Sequence, residues 1–355
     1  MTAAVVERHV DELRRRCYVG LDVASLRQEV LGRLRRLVPI DAAFFATVDP
    51  ETLLFTSVVT EDPLASATEL FLDNEFGQDD VNKFAVLARA DDSVSSLDRA
   101  TNGDRRSSAR YAEVMAPLEL GDELRAALVS KGRCWGVMCL HRQSSPAGFT
   151  PDELELVRRL APHIGEGLRR ALLFHMQAGA GAAAAGPGVV LLDESLTVRS
   201  MNPQAERWLA ELDGGGPSPA TELPLPVYAA ARAVLGPARP ATVPSSATIR
   251  LRTARGDWIT VHASPMSGPD GPQTSVVLEP AAPLQLASLF LDAHGLTPAQ
   301  TRVAALVLQG RSTRQIVNEL RISAHTVQEH LGAVFDKFGI GSRRELVATL
   351  LGGRH

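Results

Sequence analysis

Cysteine, lysine and aromatic residues are all scarce in this chain, and each scarcity removes a class of reading. Of 355 residues three are cysteine, Cys17, Cys134 and Cys139. None forms a C-x-x-C pair, and an odd count argues against a disulfide framework. A reducing, cytoplasmic setting is expected. Cys134 and Cys139 are five apart, which places them on opposite sides of a strand and excludes a shared metal. For either one, a plain structural role is expected ahead of a bilin or haem attachment. There is no H-E-x-x-H, no G-x-x-x-x-G-K and no G-x-S-x-G, so zinc protease, P-loop and serine hydrolase chemistry have no residues to carry them. The nine histidines are scattered, and a lone one such as His141 or His163 reads as structural. No catalytic residue, metal or cofactor is expected. The charged N-terminal residues Glu7, Arg8, Asp11, Glu12 and Arg14 to Arg16 exclude a signal-peptide core. The most apolar run, 178–192, is broken by Gly and Pro and is too short for a bilayer. No membrane partner is expected.

What is present is charge asymmetry. The net charge is −4. From Phe290 onward eight basic residues face five acidic ones, a local +3 that leaves about −7 for the rest. A basic segment on an acidic chain points to nucleic acid.

Two Pro-, Gly- and Ala-rich stretches, 178–188 and 279–286, read as linkers. They divide the chain into units 1–177, 187–280 and 290–355. In the first, Leu26, Val30, Leu34 and Leu37 form a helical stripe. Residues 42–48 and 53–59 form one expected hairpin, and 124–129 with 134–140 a second. Thr150-Pro151 opens a long helix. Its apolar residues Leu154, Val157, Ala161, Ile164, Leu168, Ala171 and His175 follow heptad spacing. Packing on its own sheet and a dimer seam are both open for this stripe. Pro162 should kink or restart the helix, and Arg169 and Arg170 are expected on a solvated face. The order helix, hairpin, loops, hairpin, exit helix, with Gly132–Gly136, Leu140-His141-Arg142 and Phe149-Thr150, resembles a GAF sensory domain over about 20–175. That resemblance implies an α/β fold and an unidentified small-molecule ligand. Asn82-Lys83-Phe84 is a faint echo of cyclic-nucleotide-binding members, but Ala88 and Arg89 stand where an acidic pair should follow.

The second unit reads strand, strand, helix and then three strands, with Asn202-Pro203 opening the helix. It resembles a small α+β PAS domain, with 214–244 as a shortened, loosely ordered middle.

The third unit carries repeated helix-start boxes: Thr297-Pro298-Ala299-Gln300, Ser312-Thr313-Arg314-Gln315 and Ser342-Arg343-Arg344-Glu345. Ser323 opens one more helix, and Gly310 and Gly339 sit where C-caps belong. Four helices are predicted, near 298–309, 313–320, 324–338 and 343–351. The turn between the second and third is so short that they must cross sharply, as in a helix-turn-helix. Val327, Leu331, Val334 and Phe338 form the buried stripe of the third helix. His325, Glu329, Gly332 and Asp336 lie opposite, with Gln328 at the edge.

Leu296-Thr297-Pro298, Gly310, Ile316, Leu320, Ile322-Ser323, Thr326-Val327, His330 and Lys337 together resemble the LuxR-type family. Thr326–Leu331 and Ser342–Leu346 are similar to an actinobacterial subgroup. The resemblance implies an all-α module that binds double-stranded DNA as a homodimer, its third helix in the major groove. By position the base readers are Gln328, Glu329 and Gly332, with His325 on the same face. Basic residues are usual at the first and last reader positions, and this chain departs from that. Gln can still read adenine and Glu can accept from cytosine; Glu329 could equally be a solvated acid. Ser323, Thr326, Lys337, Arg343 and Arg344 are the candidate phosphate contacts. The expected function is a one-component transcription regulator whose sensory units modulate a DNA reader. The competing readings are a protein–protein platform that has lost DNA binding and an enzyme with a regulatory tail.

Overall fold

A computed structural model describes residues 3–143, 148–176, 186–212, 223–235, 246–268 and 271–351. Two five-stranded sheets and a C-terminal helical module make up the molecule, in keeping with the multidomain fold expected from the sequence.

The first unit begins with α1 (Ala3–Arg16) and α2 (Val23–Leu34), followed by β1 (Ala42–Val48) and β2 (Phe55–Thr60). Next come α3 (Thr68–Gly77), α4 (Phe84–Leu87), β3 (Val94–Ser96) and α5 (Leu97–Thr101). It closes with β4 (Leu120–Ser130), β5 (Arg133–Gln143) and α6 (Pro151–Met176). The strand order is β2-β1-β5-β4-β3, with every pairing antiparallel. Both faces of the sheet are covered. Phe45, Leu124, Ala126 and Met138 face α1, α2 and α6, while Phe44, Ala127 and Val137 face α3 and α4. Burial on both faces explains why β1 and residues 134–140 of β5 read as apolar runs without strict alternation; β4 is buried on both faces too, although it carries Asp122, Glu123 and Arg125. Lys131 and Gly132, at φ 53° and 73°, make the two-residue turn of the β4–β5 hairpin.

Several local expectations change in three dimensions. The heptad stripe of α6 is spent on its own sheet: Leu154, Val157, Ala161, Ile164, Leu168 and Ala171 are all buried in the first unit's core. It supplies no dimer seam (the His175 side chain lies outside the described residues). Helix α6 runs unbroken through Pro162. Arg169 is buried rather than solvated, and its guanidinium pairs with Glu166 and donates to the Ala293 carbonyl. Arg170 pairs with the same Glu166 at 3.0 Å. Cys134 and Cys139 do not face opposite sides. The β4–β5 register skips Trp135, and this bulge returns both cysteines to the same core.

The middle unit comprises β6 (Gly188–Leu192), β7 (Val198–Met201), α7 (Pro203–Leu212), α8 (Leu225–Leu235), β8 (Ala247–Arg252), β9 (Trp258–Gly268) and β10 (Gly271–Pro280). Its order, β7-β6-β10-β9-β8, repeats that of the first sheet. Asn202 caps α7: its Oδ1 accepts from Ala205 N at 2.9 Å and from Val189 N at 3.1 Å. Gly188 lets β6 approach α7, since a Cβ there would stand 2.7 Å from the Ala205 Cα. The stretch 214–244 lies partly outside the described residues. Within it α8 is a packed helix, not a loose loop, and Val227, Ala230 and Val234 are buried in the middle core.

The third unit holds α9 (Pro283–Ala293), α10 (Pro298–Leu308), α11 (Thr313–Leu320), α12 (Ala324–Phe338) and α13 (Arg343–Leu351). The segment 279–286, expected as a linker, is the end of β10 and the first turn of α9. A cut at 290 falls inside that helix. Units that should have been strung on linkers are instead bonded to each other. Arg250 pairs with Asp49 at 2.5 Å, Arg232 with Asp73 at 2.8 Å and Arg133 with Asp292 at 3.1 Å.

A charged cluster sits inside the first unit. Arg110, Glu123, Arg125 and His141 are fully buried. Arg110 reaches Glu123 at 2.8 Å and Arg125 reaches Glu75 at 2.6 Å. Arg125 also lies over the Phe84 ring at 4.5 Å. The paired guanidinium groups outweigh burial and hold the Glu123 carboxyl well below the usual carboxylate range. Burial pushes the His141 imidazole down to about 4, although Glu123 opposes the shift. Below its ordinary value the unfolded chain takes up a proton that folded His141 refuses. The contribution is therefore complete above pH 6.5 and is lost as pH falls toward 4, at about 1.4 kcal/mol per unit. Denaturant midpoints measured from pH 7 to pH 5 should fall, and His141→Leu should flatten that slope; an unchanged slope would show that His141 does not drive it.

Candidate nucleic-acid interface

The C-terminal helices form where the sequence boxes lie because each box satisfies backbone N–H groups that a helix start leaves bare. Thr297 and Gln300 cap each other's backbone, as do Ser312 and Gln315. Ser323 Oγ accepts from Thr326 N at 3.0 Å. Ser342 Oγ accepts from Glu345 N at 3.2 Å, and the Glu345 carboxylate reaches back to Gly341 N at 2.9 Å. Between α11 and α12 the chain turns over three residues. Arg321 supplies the left-handed residue at φ 55°, ψ 43°, a conformation that usually favours glycine. This turn sets α12 across α11.

Helix α12 buries Val327, Leu331 and Val334 among α10, α11 and α13. The opposite face is exposed and carries His325, Gln328, Glu329, Gly332 and Asp336. The predicted readers therefore lie together on one open helix surface. His325 Nε2 lies 3.5 Å from Glu329 Oε1, one helical turn away. Among the described residues nothing beyond the helix's own backbone lies within 4 Å of where a Gly332 Cβ would stand, so packing there does not require this glycine. Its absence of side chain leaves the middle of the face low.

The candidate phosphate contacts separate into two kinds. Ser323 and Thr326 stand at the start of α12, with their hydroxyls 2.9 Å apart. Arg343 is half-buried and Arg344 exposed at the start of α13. Neither has a carboxylate within ion-pair distance among the described residues, nor have Arg314 and Arg321 at the ends of α11. Sequence reasoning did not single out either as a DNA contact; the fold puts Arg321 in the turn that leads into α12. Lys337 differs. Its Nζ donates to Gly295 O at 2.7 Å and to Gln300 Oε1 at 2.8 Å, tying the end of α12 to the start of α10. His294 stacks on Phe338 just beside this staple, with ring centroids 3.7 Å apart.

The first unit offers one set of metal-ligand atoms among the described residues, on Glu123, Cys139 and His141. The residues do not suit a cation. Arg110 and Arg125 already neutralise Glu123, and burial pushes the Cys139 thiol well above its ordinary value. The set is an ion-pair core with a neutral thiol and imidazole beside it. Among the described residues no helix is long and apolar enough to cross a membrane.

Residues 294–350 match the family described as bacterial regulatory proteins, luxR family, and residues 22–168 match the GAF domain family. The spore germination protein GerE of Bacillus subtilis (strain 168) is 36% identical over 56 residues, covering 16% of this chain and 76% of that protein. Solved structures that resemble part of the chain include two domains. The VqsR LBD domain from Pseudomonas aeruginosa is 19% identical with a TM-score of 0.33, over 49% of this chain and 99% of that one. The phycoerythrobilin-bound GAF domain from a cyanobacterial phytochrome is 16% identical with a TM-score of 0.35, over 48% and 97%.

The Lys337 staple makes a testable distinction. Lys337→Met should lower the unfolding stability of the C-terminal unit by about 1 kcal/mol, the scale of a lost hydrogen-bonding group, with DNA absent. Unchanged stability together with a shallower salt dependence of DNA binding would assign Lys337 to phosphate instead.

Proposed function

The chain belongs to the luxR family of bacterial regulatory proteins, and from that premise we propose a one-component transcription regulator that reads DNA through α12. It is a DNA-binding regulator with a GAF sensory domain. The observation that carries the finer reading is the exposed α12 face, with Arg321 in the turn before it and Arg343 and Arg344 at the start of the next helix, none of them in an ion pair among the described residues. A recognition helix enters the major groove by such a face. Gln328 and Glu329 meet base edges there, and Gly332 lets the groove wall come close. Ser323, Thr326, Arg343 and Arg344 hold the backbone, which positions the helix without reading sequence.

The protein acts as a homodimer on paired half-sites. Support comes from the family resemblance and from Val347 and Leu351, which remain half-buried on α13 while Leu346 and Leu350 fill the core. The first unit senses a small molecule and the middle, PAS-like unit relays its state. The relay is supported by α9. Leu289 and Ala293 pack in the first unit's core, while Ala287 and Leu291 pack in the DNA-binding core. A displacement of either core is felt by the other.

Gly332→Ala separates reading from folding. It should stabilise α12 by up to about 1 kcal/mol and yet weaken binding to the preferred site. If stability and affinity rise together, the groove does not approach this face.

Half-site selection with three further variants tests the assigned roles. Gln328→Ala should blur preference at one base pair at a cost of about 1–3 kcal/mol. Arg343→Ala should weaken all sequences alike and reduce the salt slope by about one contact. Glu329→Ala should relax one position if it accepts from cytosine; uniformly tighter binding would make it a repelled surface acid. Unchanged base preference in both Gln328→Ala and Glu329→Ala, or a flat salt dependence of the full chain, would favour a protein–protein platform.

A further inference from the structure

A cavity of about 180 Å³ lies where the three units meet. The first unit contributes Trp135 from β5 and Leu168 and Leu172 from α6; the middle unit contributes Trp258 and Arg252; Leu289 of α9 closes it. The sheet positions explain the mixture. On β8, Ile249 and Leu251 point into the middle core, so Arg250 and Arg252 point out toward the first unit. Trp258 stands directly across from Arg252 in the β8–β9 register.

The two arginines are in different states. Arg250 is consumed: it pairs with Asp49 at 2.5 Å and donates to Ser288 Oγ at 2.6 Å. That pairing also neutralises Asp49, the carboxylate at the cavity wall. Arg252 has one hydrogen bond among the described residues, from its Nε to the Gly256 carbonyl at 3.1 Å. No carboxylate lies within ion-pair distance of it, and its Nη groups have no protein partner there. Burial pulls its pKa below the ordinary value, with Asp257 opposing from a distance. The Arg252 guanidinium is half-buried at the cavity wall, and its Nη groups, without an ion pair among the described residues, are available to an anion there.

We propose that this junction is a binding site for a small aromatic carboxylate, the ring held between the two indoles and the carboxylate on Arg252. Size and lining select the class. A cavity of about 150 Å³ lined by apolar side chains takes a molecule the size of benzene, so this one holds a single ring with a short acidic tail. Indole faces and leucines suit the ring, and a guanidinium fork suits a carboxylate. Arg27, on the neighbouring α2, is held by Ser57 and Thr47 and does not compete for it. The site is separate from the GAF core on the α3–α4 face of the first sheet, which Phe44, Phe55, Phe71 and Phe84 fill. Because Leu289 belongs to the helix shared with the DNA-binding core, occupancy would be reported there. That consequence rests on the DNA-binding reading above; occupancy itself is measured without DNA.

The test uses the full chain and its own tryptophans, two of which line the cavity. Phenylacetate should change the intrinsic fluorescence saturably, with a Kd of about 1 mM or tighter. Neutral 2-phenylethanol should bind about tenfold more weakly or worse. Arg252→Gln should weaken phenylacetate to the level of the alcohol and leave the alcohol unchanged, with circular dichroism confirming the fold. Leu172→Trp, which fills the cavity and keeps the charge, should remove both. Absence of saturable binding to the folded wild-type chain would overturn the proposal. So would equal affinity for acid and alcohol, or an Arg252→Gln variant that binds phenylacetate as before.

Discussion

Helix α9 is the constraint on which the arrangement of this molecule depends. It is eleven residues long and buries two faces in two different cores. Leu289 and Ala293 complete the first unit; Ala287 and Leu291 complete the DNA-binding module. Polar contacts hold it along its length. Ser288 meets Arg250, Asp292 meets Arg133, and the Ala293 carbonyl accepts from buried Arg169. A helix apolar on opposite sides cannot be solvated on either without exposing hydrophobic surface. It must therefore be sandwiched, and the sandwich brings the first two units and the DNA-binding module into one packed body.

Around that helix the charges are placed with partners. The Asp49–Arg250, Asp73–Arg232 and Asp292–Arg133 pairs each join residues of different units. Removing one member of the buried Asp49–Arg250 pair would leave a charge in a poorly solvated place, a cost of several kcal/mol. Such pairs set registry between units more than they add stability. The cluster around Glu123 acts in the same way within the first sheet. Its neighbours Arg110 and Arg125 come from the start of a short helical turn at 111–115 and from β4, and together they tie the α3–α4 face to β4. Arg252, by contrast, has no ion pair among the described residues, at a junction lined by all three units.

The DNA-binding module follows a simpler logic. Side-chain caps start α10, α11 and α12, a left-handed Arg321 turns the chain, and a stripe of Val and Leu seats α12. The remaining face is then exposed by geometry, whatever residues it carries. That face carries His325, Gln328, Glu329, Gly332 and Asp336 and no arginine or lysine, while Arg321 stands in the turn before α12 and Arg343 and Arg344 open α13.

Local order determined what the sequence could tell. Thr297, Ser312 and Ser323 cap helices because cap and backbone N–H are three residues apart, and such contacts need no other part of the chain. The stripe of α12 and the strands around Lys131-Gly132 were legible for the same reason, as was the resemblance of both terminal units to their families. The four C-terminal helices were placed to within a residue. What tertiary structure alone decided involves residues far apart in the chain or a single inserted residue. The α6 heptad was compatible with two partners, and only the fold shows that its own sheet takes it. A bulge at Trp135 reversed the facing of Cys134. Composition marked 279–286 as a linker, yet apolar residues beyond it had two cores to enter, and that made α9. The Asp49–Arg250 pair spans two hundred and one positions. No periodicity carries information over that distance, because it arises when two sheets meet and not from either strand alone.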